Sequence, residues 1–182
     1  MKRDLFWELL EPEHPKAEAF CRHLARDLDE AGDLYHDSLV KAWQGIESLR
    51  NSASFRPWLY RIIVNTFRSR RRNPWWRKRE RLEDHEIACE PSDSLDVRRW
   101  LERALTVLSP GDKALVTLFE LEGWSIGELA RMHGIPEGTV KSRLSRARTK
   151  MRKGISGHLS RMTKEIPTEG GRICVAGKPN AD

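Results

Sequence analysis

Three side chains able to bind a metal or transfer a proton share one side of a predicted helix. Asp33, His36 and Asp37 stand at positions i, i+3 and i+4, which are neighbours on a helix surface. The trio could form half of a metal site, as a nuclease would require, but no second acidic–histidine cluster completes the ligand set. A solvated face, or better a protein-docking face, explains the pattern, because Val40 would otherwise be exposed among polar neighbours. We therefore expect no metal and no cofactor.

A second set of residues has the chemistry of DNA recognition. In the segment GTVKSRLSRAR, Lys141 and Arg146 flank small side chains, and Arg143 and Arg148 lie at the margins, in reach of phosphates and guanine edges. The small residues would let the helix enter a groove deeply. The outward set is Gly138, Ser142, Ser145 and Thr149, and the inward apolar stripe is Val140, Leu144, Ala147 and Met151.

The residues before this helix predict how it is positioned. Ser125 and Glu128 have the spacing of a capping box, which starts a short helix. Gly134 suits a tight turn with positive φ, and Pro136 suits the first turn of the next helix. The pattern predicts a helix-turn-helix, whose second helix can enter a major groove. The alternative is a solvated basic helix on an ordinary bundle.

A third set combines an aromatic ring, an amide and arginines on one helix, predicted over Phe55 to Arg72. One face is apolar and would form a core, while the other is suited to stacking on unpaired bases and contacting a nucleic-acid backbone. A surface tyrosine on a solvated basic face is the alternative. The apolar face is Phe55, Trp58, Leu59, Ile62, Ile63 and Phe67; the face predicted to be exposed is Arg56, Tyr60, Arg61, Val64, Asn65 and Arg68.

The remaining periodicity predicts an all-α chain of two small helical domains. Helices are expected near residues 5–10, 16–28 and 30–45, with Phe20, Leu24 and Leu28 on one core face of the second. Residues 83–96 carry acidic side chains without Lys or Arg, which predicts a flexible acidic linker. We expect a first domain at 1–73, a linker at 74–95, a second domain ending in the helix-turn-helix at 96–155, and a largely disordered tail at 156–182.

Composition restricts the class of partner and compartment. The 182 residues carry a net charge of +6, which favours a polyanion. Three widely spaced cysteines without metal-ligand spacing are expected to be reduced thiols in a cytoplasmic protein, with Cys21 a small buried hydrophobe. No leader-like apolar run follows Lys2 and Arg3, and no segment has the length to span a membrane, so we expect no membrane insertion.

Three segments in order resemble the bacterial RNA polymerase sigma factors of the extracytoplasmic-function (ECF) group. They are EAGDLYHDSLVKAW, FRPWLYRIIVNTFRSRRR and LSPGDKALVTLFELEGWSIGELARMHGIPEGTVKSRLSRAR. The likeness covers about residues 6–152, and GTVKSRLSRAR is its strongest part. It implies a non-enzymatic subunit that binds core RNA polymerase, at the β′ clamp helices and the β flap, and directs promoter recognition, DNA melting and initiation. It also implies an anti-sigma factor as partner.

The resemblance assigns roles to three groups of residues. The first would bind core polymerase, the second would read and melt the minus-ten element, and the third would read the minus-thirty-five element as duplex. They are, in that order, Asp33, His36, Asp37, Val40 and Lys41; Asn51, Ser52, Arg56, Tyr60, Arg61, Asn65 and Arg68; and Glu137, Gly138, Thr139, Lys141, Ser142, Arg143, Ser145 and Arg146.

Two other functions remain open from the residues alone. A stand-alone helix-turn-helix regulator would bind duplex DNA tightly without polymerase. A recombinase or nuclease would need metal at the side carrying Asp33, His36 and Asp37, or an activated serine, and no base is placed to activate one.

Overall fold

The computed structural model describes residues 2–73 and 104–165, with side chains for 5–73 and 104–156. Every regular element in these ranges is helical, which confirms the predicted all-α class. The linker predicted at 74–95 lies outside them. The helices are α1 (Lys2–Leu10), α2 (His14–Leu24), α3 (Leu28–Gly45), α4 (Phe55–Arg72), α5 (Pro110–Glu120), α6 (Ile126–His133) and α7 (Glu137–Glu165), with 3-10 turns at Ile46–Ser48 and Ser52–Ser54.

The first unit packs α2, α3 and α4 around one apolar core, with α1 lying on the turn that follows α3. The helices bury the stripes that their periodicity predicts: Phe20 from α2, Leu34 from α3, and Leu59 and Ile63 from α4 are all fully or almost fully buried. Phe6 of α1 joins them and packs edge-on against Trp43 and Phe55, at ring-centroid distances of 5.5 and 5.8 Å. This core fixes the outward faces of α3 and α4.

The boundary between α2 and α3 differs from the prediction. A helix over 16–28 was expected, but α2 ends at Leu24 and α3 begins at Leu28. The reason is Asp27, which caps α3: its side chain accepts a hydrogen bond from the Glu30 N–H at 2.6 Å. Leu28 consequently leaves the predicted core face and is 75% exposed.

The second unit contains the predicted helix-turn-helix. Ser125 and Glu128 form the capping box: Glu128 N–H donates to Ser125 Oγ at 3.2 Å, and Ser125 N–H donates to Glu128 Oε2 at 2.8 Å. Gly134 ends α6 with φ of 64°, and α7 follows after Pro136. Leu129 of α6 and Val140 and Leu144 of α7 are buried against α5, which positions α7 as the recognition helix.

Helix α7 is longer than the sequence indicated. It continues to Glu165, past the boundary predicted for the second domain at residue 155 and into the segment expected to be a disordered tail. Gly154 lets it pass close to the segment before α5, since a Cβ at Gly154 would lie 3.2 Å from Val107 Cγ1. The rest of the predicted tail, from residue 166, lies outside the described ranges.

Candidate nucleic-acid interface

The outward face of α7 presents the side chains predicted to read duplex DNA. Three residues of its inward stripe, Val140, Leu144 and Ala147, are buried as expected at 0–3% exposure, while Met151 is half-buried. Two of the small hydroxyls are held along the helix: Ser142 Oγ donates to Thr139 O and Thr149 Oγ1 donates to Ser145 O, each at 3.0 Å. The predicted residues that are exposed are Glu137, Gly138, Lys141, Ser142, Ser145 and Arg146, while Thr139 and Arg143 are half-buried.

The two marginal arginines of α7 are each paired with a carboxylate on α5. Arg143 donates from Nε and Nη2 to Asp112 Oδ1 at 3.0 and 2.8 Å. Arg148 donates in the same way to Glu120 Oε1 at 2.9 and 2.6 Å, and its guanidinium lies over the Phe119 ring. These carboxylate partners were not predicted, because helical periodicity describes one element and carries no information about which residues of another element it meets.

The basic face of α4 is only partly as predicted. Arg61, Asn65 and Arg68 are exposed, as their positions indicated. Tyr60 and Val64, which were expected on the same exposed face, are buried at 0% and 2% exposure. The expectation that Tyr60 is a surface residue is therefore wrong for this arrangement, because the second unit packs over it.

Trp124 and Arg56 pack against Tyr60, and Lys113 makes a separate contact between the two units. The Tyr60 ring lies 5.0 Å from the Trp124 ring, and the Arg56 guanidinium stacks over Trp124 at 4.6 Å. Lys113 of α5 donates from Nζ to the Leu24 carbonyl of the first unit at 2.8 Å. We call this contact between the two units the seam and define it by Leu24, Arg56, Tyr60, Lys113 and Trp124.

The two predicted DNA faces meet beside the seam. A Cβ at Gly111 would lie 3.3 Å from Nη2 of Arg143, on the recognition helix, and 3.7 Å from Nε of Arg68, on α4. In this arrangement the side chains proposed for the two promoter elements therefore stand next to each other.

The polar ends of the seam aromatics are buried without partners. Within the described residues, the Tyr60 hydroxyl and the Trp124 indole N–H have no hydrogen-bond partner. Burial raises the pKa of the Tyr60 hydroxyl well above its usual range. Buried polar groups of this kind usually have a hydrogen-bond partner in folded proteins. Trp124 was not predicted as a seam residue; its only sequence signal is an aromatic ring directly before the Ser125 cap.

The loop predicted to hold a flipped base is exposed at the start of α4. Asn51 and Ser52 are both exposed, and Asn51 Oδ1 accepts a hydrogen bond from the Ala53 N–H at 2.9 Å. This bond orders the turn that precedes Phe55, which is 2% exposed and anchors the helix in the core. The loop is thereby held at a defined position relative to Arg61 and Asn65.

The predicted polymerase-docking face lies on the outside of α3. Asp33, His36, Val40 and Lys41 are exposed, and Val40 is 41% exposed as the docking hypothesis requires. Lys41 Nζ donates to Thr66 Oγ1 of α4 at 3.2 Å. Asp37 forms an ion pair with Arg70, with Nε 3.2 Å from Oδ2, so its carboxylate joins α3 to α4. Within residues 5–73 and 104–156, no group of three or more acidic, histidine or cysteine side chains converges as metal ligands would.

Two further sequence expectations concern the Cys21 thiol and membrane insertion. Cys21 is fully buried, as predicted, and burial raises its pKa to about 12, so the thiol is unreactive at neutral pH. No helix in the described ranges combines the length and apolar content needed to cross a bilayer.

Comparison with known proteins supports the sigma-factor resemblance in both halves. Residues 9–77 match the family model of Sigma-70 region 2, and residues 98–151 match that of Sigma-70, region 4. The chain is 32% identical over 149 residues to the ECF RNA polymerase sigma factor SigM of Mycobacterium tuberculosis, covering 82% of this chain and 76% of that protein. It is 34% identical to the ECF RNA polymerase sigma-E factor of Haemophilus influenzae, over 70% of this chain and 74% of that protein.

Solved structures agree with the helical fold. The sigma factor RpoE of Bartonella quintana, solved with the anti-sigma factor NepR, matches with a TM-score of 0.61 and 29% identity over 83% of this chain and 96% of that one. CnrH, solved with the cytosolic domain of CnrY, matches with a TM-score of 0.59 and 23% identity, covering 86% of this chain and 88% of that one. The chain therefore belongs to the ECF group of RNA polymerase sigma factors.

Proposed function

We propose that this chain is the dissociable subunit that directs core RNA polymerase to a promoter, reading two DNA elements with its two helical units. The observation that carries this is the pair of exposed basic faces on separate units: Arg61, Asn65 and Arg68 on α4, and Lys141 and Arg146 on the recognition helix. Like other sigma factors it acts as a regulator, and we propose no catalytic residue in it.

The proposed roles of the individual residues agree with where each face lies. The outside of α3, around Val40, is proposed to bind the β′ clamp helices of polymerase, because an exposed aliphatic side chain among charged ones suits a protein interface. The ordered loop at Asn51 and Ser52, with the exposed face of α4, is proposed to hold the opened minus-ten strand. The exposed small and basic residues of α7 are proposed to read the minus-thirty-five duplex.

The proposal requires that the two units separate. Base–aromatic stacking contributes roughly 1–3 kcal/mol per base in single-strand binding, and Tyr60 can contribute it only after Trp124 has moved away. This fits the unit boundary, where the buried Tyr60 hydroxyl and Trp124 indole N–H have no hydrogen-bond partner among residues 5–73 and 104–156. We infer that the arrangement described here is the resting state, and that binding of polymerase holds the units at the separation a promoter requires.

An anti-sigma factor is a further proposed partner. RpoE of Bartonella quintana, at 29% identity, was solved in complex with the anti-sigma factor NepR. We infer that a protein of that kind keeps this chain in its closed arrangement. Co-purification from the native cell tests the inference, and recovery of the chain with polymerase alone would contradict it.

Promoter-dependent transcription with purified core polymerase tests the central proposal. We expect the full chain to stimulate initiation on selected sequences from a promoter library, with a preferred spacing between two elements. A lack of stimulation on every sequence would reject a sigma function. Tight binding of the free chain to duplex DNA in a gel shift, without polymerase, would instead indicate a stand-alone regulator.

A further inference from the structure

Asp112, in the first turn of α5, makes two separate contacts with its two carboxylate oxygens. Oδ2 accepts a hydrogen bond from the hydroxyl of Ser109 at 2.7 Å, beside the Ser109 cap of α5. Oδ1 accepts both Nε–H and Nη2–H of Arg143 at 3.0 and 2.8 Å. Both members of the ion pair are largely buried, with side-chain exposures of 26% and 21%. The carboxylate therefore ties the recognition helix to the start of α5.

The pairing uses only two of the N–H donors of the Arg143 guanidinium. A guanidinium has five N–H donors in a fixed plane, and Asp112 takes the one on Nε and one on Nη2. The second Nη2–H and both Nη1–H remain, and two of them point in parallel along the distal edge. A parallel pair of charged donors matches two oxygens of a phosphate.

The surroundings of this edge favour an anion. A surface pocket of about 260 Å³ is lined by Ser109, Asp112, Arg143, Arg146 and Lys150. Three of these side chains are cationic and one is anionic, so the pocket keeps an excess of positive charge after the ion pair forms. Arg143, Arg146 and Lys150 follow one flank of α7 at spacings of three and four residues, beside the outward face that would enter the groove. The strand that borders a groove places its phosphates along such a flank.

We propose that Asp112 is a positioning residue for Arg143, and that the free edge of Arg143 binds one backbone phosphate of the promoter duplex together with Arg146 and Lys150. The inference rests on the proposed reading of duplex DNA by α7. It adds a residue from outside the recognition helix to the DNA contact. The contact fixes the register of the helix on the duplex and carries no base specificity of its own.

The opposite flank of α7 offers a matched control. Glu120 holds Arg148 through the same two donor atoms, but this pair is more exposed, at 51% and 43%, and its arginine covers the Phe119 ring. Arg148 is five residues from Arg143, which places it about 140° around the helix. Glu120→Gln therefore removes an equivalent ion pair without touching the proposed phosphate site.

The test compares Asp112→Asn, Arg143→Lys, Lys150→Gln and Glu120→Gln in the full chain with core polymerase, on a library of minus-thirty-five sequences. We expect Asp112→Asn and Arg143→Lys to lower initiation by roughly tenfold on all sequences alike, as loss of a charge-assisted contact to the backbone would. Lys150→Gln should lower the salt dependence of promoter binding by about one unit of slope. Glu120→Gln should match the wild type.

A neutral methylphosphonate at the contacted phosphate should weaken the wild type and add nothing to Asp112→Asn. A changed base preference at one minus-thirty-five position in the variants would show that Arg143 reads a base, and it would overturn the phosphate assignment. Initiation by Asp112→Asn equal to the wild type would overturn the positioning role.

Asp112 also contacts Ser109, so Asp112→Asn could affect folding, and thermal melting of each variant measures this. Ser109→Ala is a further control, because it removes the contact with Ser109 and leaves the ion pair in place. If Asp112→Asn fails to fold, Arg143→Lys carries the same expectation. Failure of the wild type to initiate on any library sequence would reject the sigma function, and is thereby distinguished from failure of this inference.

Discussion

At the scale of single residues, burial in the core explains the ring of Tyr60 but not its hydroxyl. Its ring is fully buried between Phe20 and Trp124, at centroid distances of 5.2 and 5.0 Å, yet its hydroxyl has no partner within the described residues. A tyrosine chosen only for the core would be expected as phenylalanine, because an unsatisfied buried hydroxyl destabilises the folded state. The hydroxyl is explained if the ring is exposed in the open, DNA-bound arrangement.

Tyr60→Phe separates the ring from the hydroxyl. We expect it to raise the free energy of unfolding by about 1 kcal/mol, because it removes a polar group that has no partner. Initiation should be retained, since stacking on a base requires the ring alone. Tyr60→Ala should lose about 3–5 kcal/mol through the cavity it leaves, and should abolish initiation. Urea unfolding and in vitro transcription measure the two effects; loss of initiation in Tyr60→Phe would assign the hydroxyl a direct role.

His133, at the end of α6, should make the closed arrangement sensitive to pH. Its pKa is lowered from 6.5 to about 4, first by burial and then by the positive charges of Arg143, Arg68 and Arg61, which come from α7 and α4. Above pH 6.5 the imidazole is neutral in both the closed and the open arrangement, so it does not change the stability of one relative to the other. Below it, a state with His133 exposed binds a proton that the closed state excludes, so the closed state loses stability as the pH falls toward 4.

Small-angle X-ray scattering between pH 7.5 and 5 measures this loss as an increase in the radius of gyration. We expect His133→Gln, which cannot titrate, to flatten the dependence. His36→Gln is the control, since His36 is exposed on the outside of α3. An unchanged pH profile in His133→Gln would show that another group is responsible.

At the scale of elements, the turn between α6 and α7 depends on one glycine. Gly134 has φ of 64°, which side chains other than glycine adopt at a cost of about 1–2 kcal/mol. We expect Gly134→Ala to lower the free energy of unfolding by about that amount. A Cβ added at Gly138, in the first turn of α7, would have no atom within 4 Å, and Gly138 does not have a positive φ. We therefore expect Gly138→Ala to raise the free energy of unfolding by about 0.5–1 kcal/mol. Thermal melting compares them; equal effects of the two substitutions would contradict the conformational explanation.

Local chemistry explains which elements the sequence predicts well. The capping box of Ser125 and Glu128 and the turn at Gly134 follow from contacts within a few residues, and both are confirmed. The α2–α3 boundary was missed because Asp27 acts as a cap inside a stretch whose apolar spacing continues to Leu28. Periodicity detects a helical face but does not register a short break that preserves the spacing.

Contacts between distant elements explain what the sequence does not predict. Arg61, Asn65 and Arg68 were correctly placed on the surface, whereas Tyr60 and Val64 of the same helix are buried, and Trp124 of the second unit packs against Tyr60. The sequence shows that these two side chains have apolar surface, but it does not show which other element packs against them. Asp112 was missed as a partner of Arg143 for the same reason, since thirty-one positions separate the two residues.

At the scale of the whole molecule, the closed arrangement should be in equilibrium with an open one. Across the seam, Lys113 Nζ donates to the Leu24 carbonyl at 2.8 Å and lies 6.0 Å from the centroid of the Phe67 ring. Arg56, Tyr60 and Trp124 form a stacked group beside it. A contact of this kind can be displaced by a partner that binds the open state more tightly.

Lys113→Met should shift that equilibrium, because it removes the hydrogen bond to the Leu24 carbonyl. Hydrogen bonds to charged groups contribute about 1.5–3 kcal/mol, so we expect the open population to rise by roughly tenfold or more. Energy transfer between dyes on exposed residues of the two units, such as Leu28 and Leu121, should fall accordingly. Binding of the polymerase-free chain to minus-thirty-five duplex should tighten in parallel, because the side of α7 near Arg68 becomes accessible.

Lys41→Met is the matched control for this shift. It removes a lysine hydrogen bond of similar length, to Thr66, that lies within the first unit. Neither energy transfer nor binding of the duplex should change, because the bond does not cross the seam. If Lys113→Met and Lys41→Met behave alike, the Lys113 bond does not hold the units together, and opening must be controlled by the stacked group around Trp124.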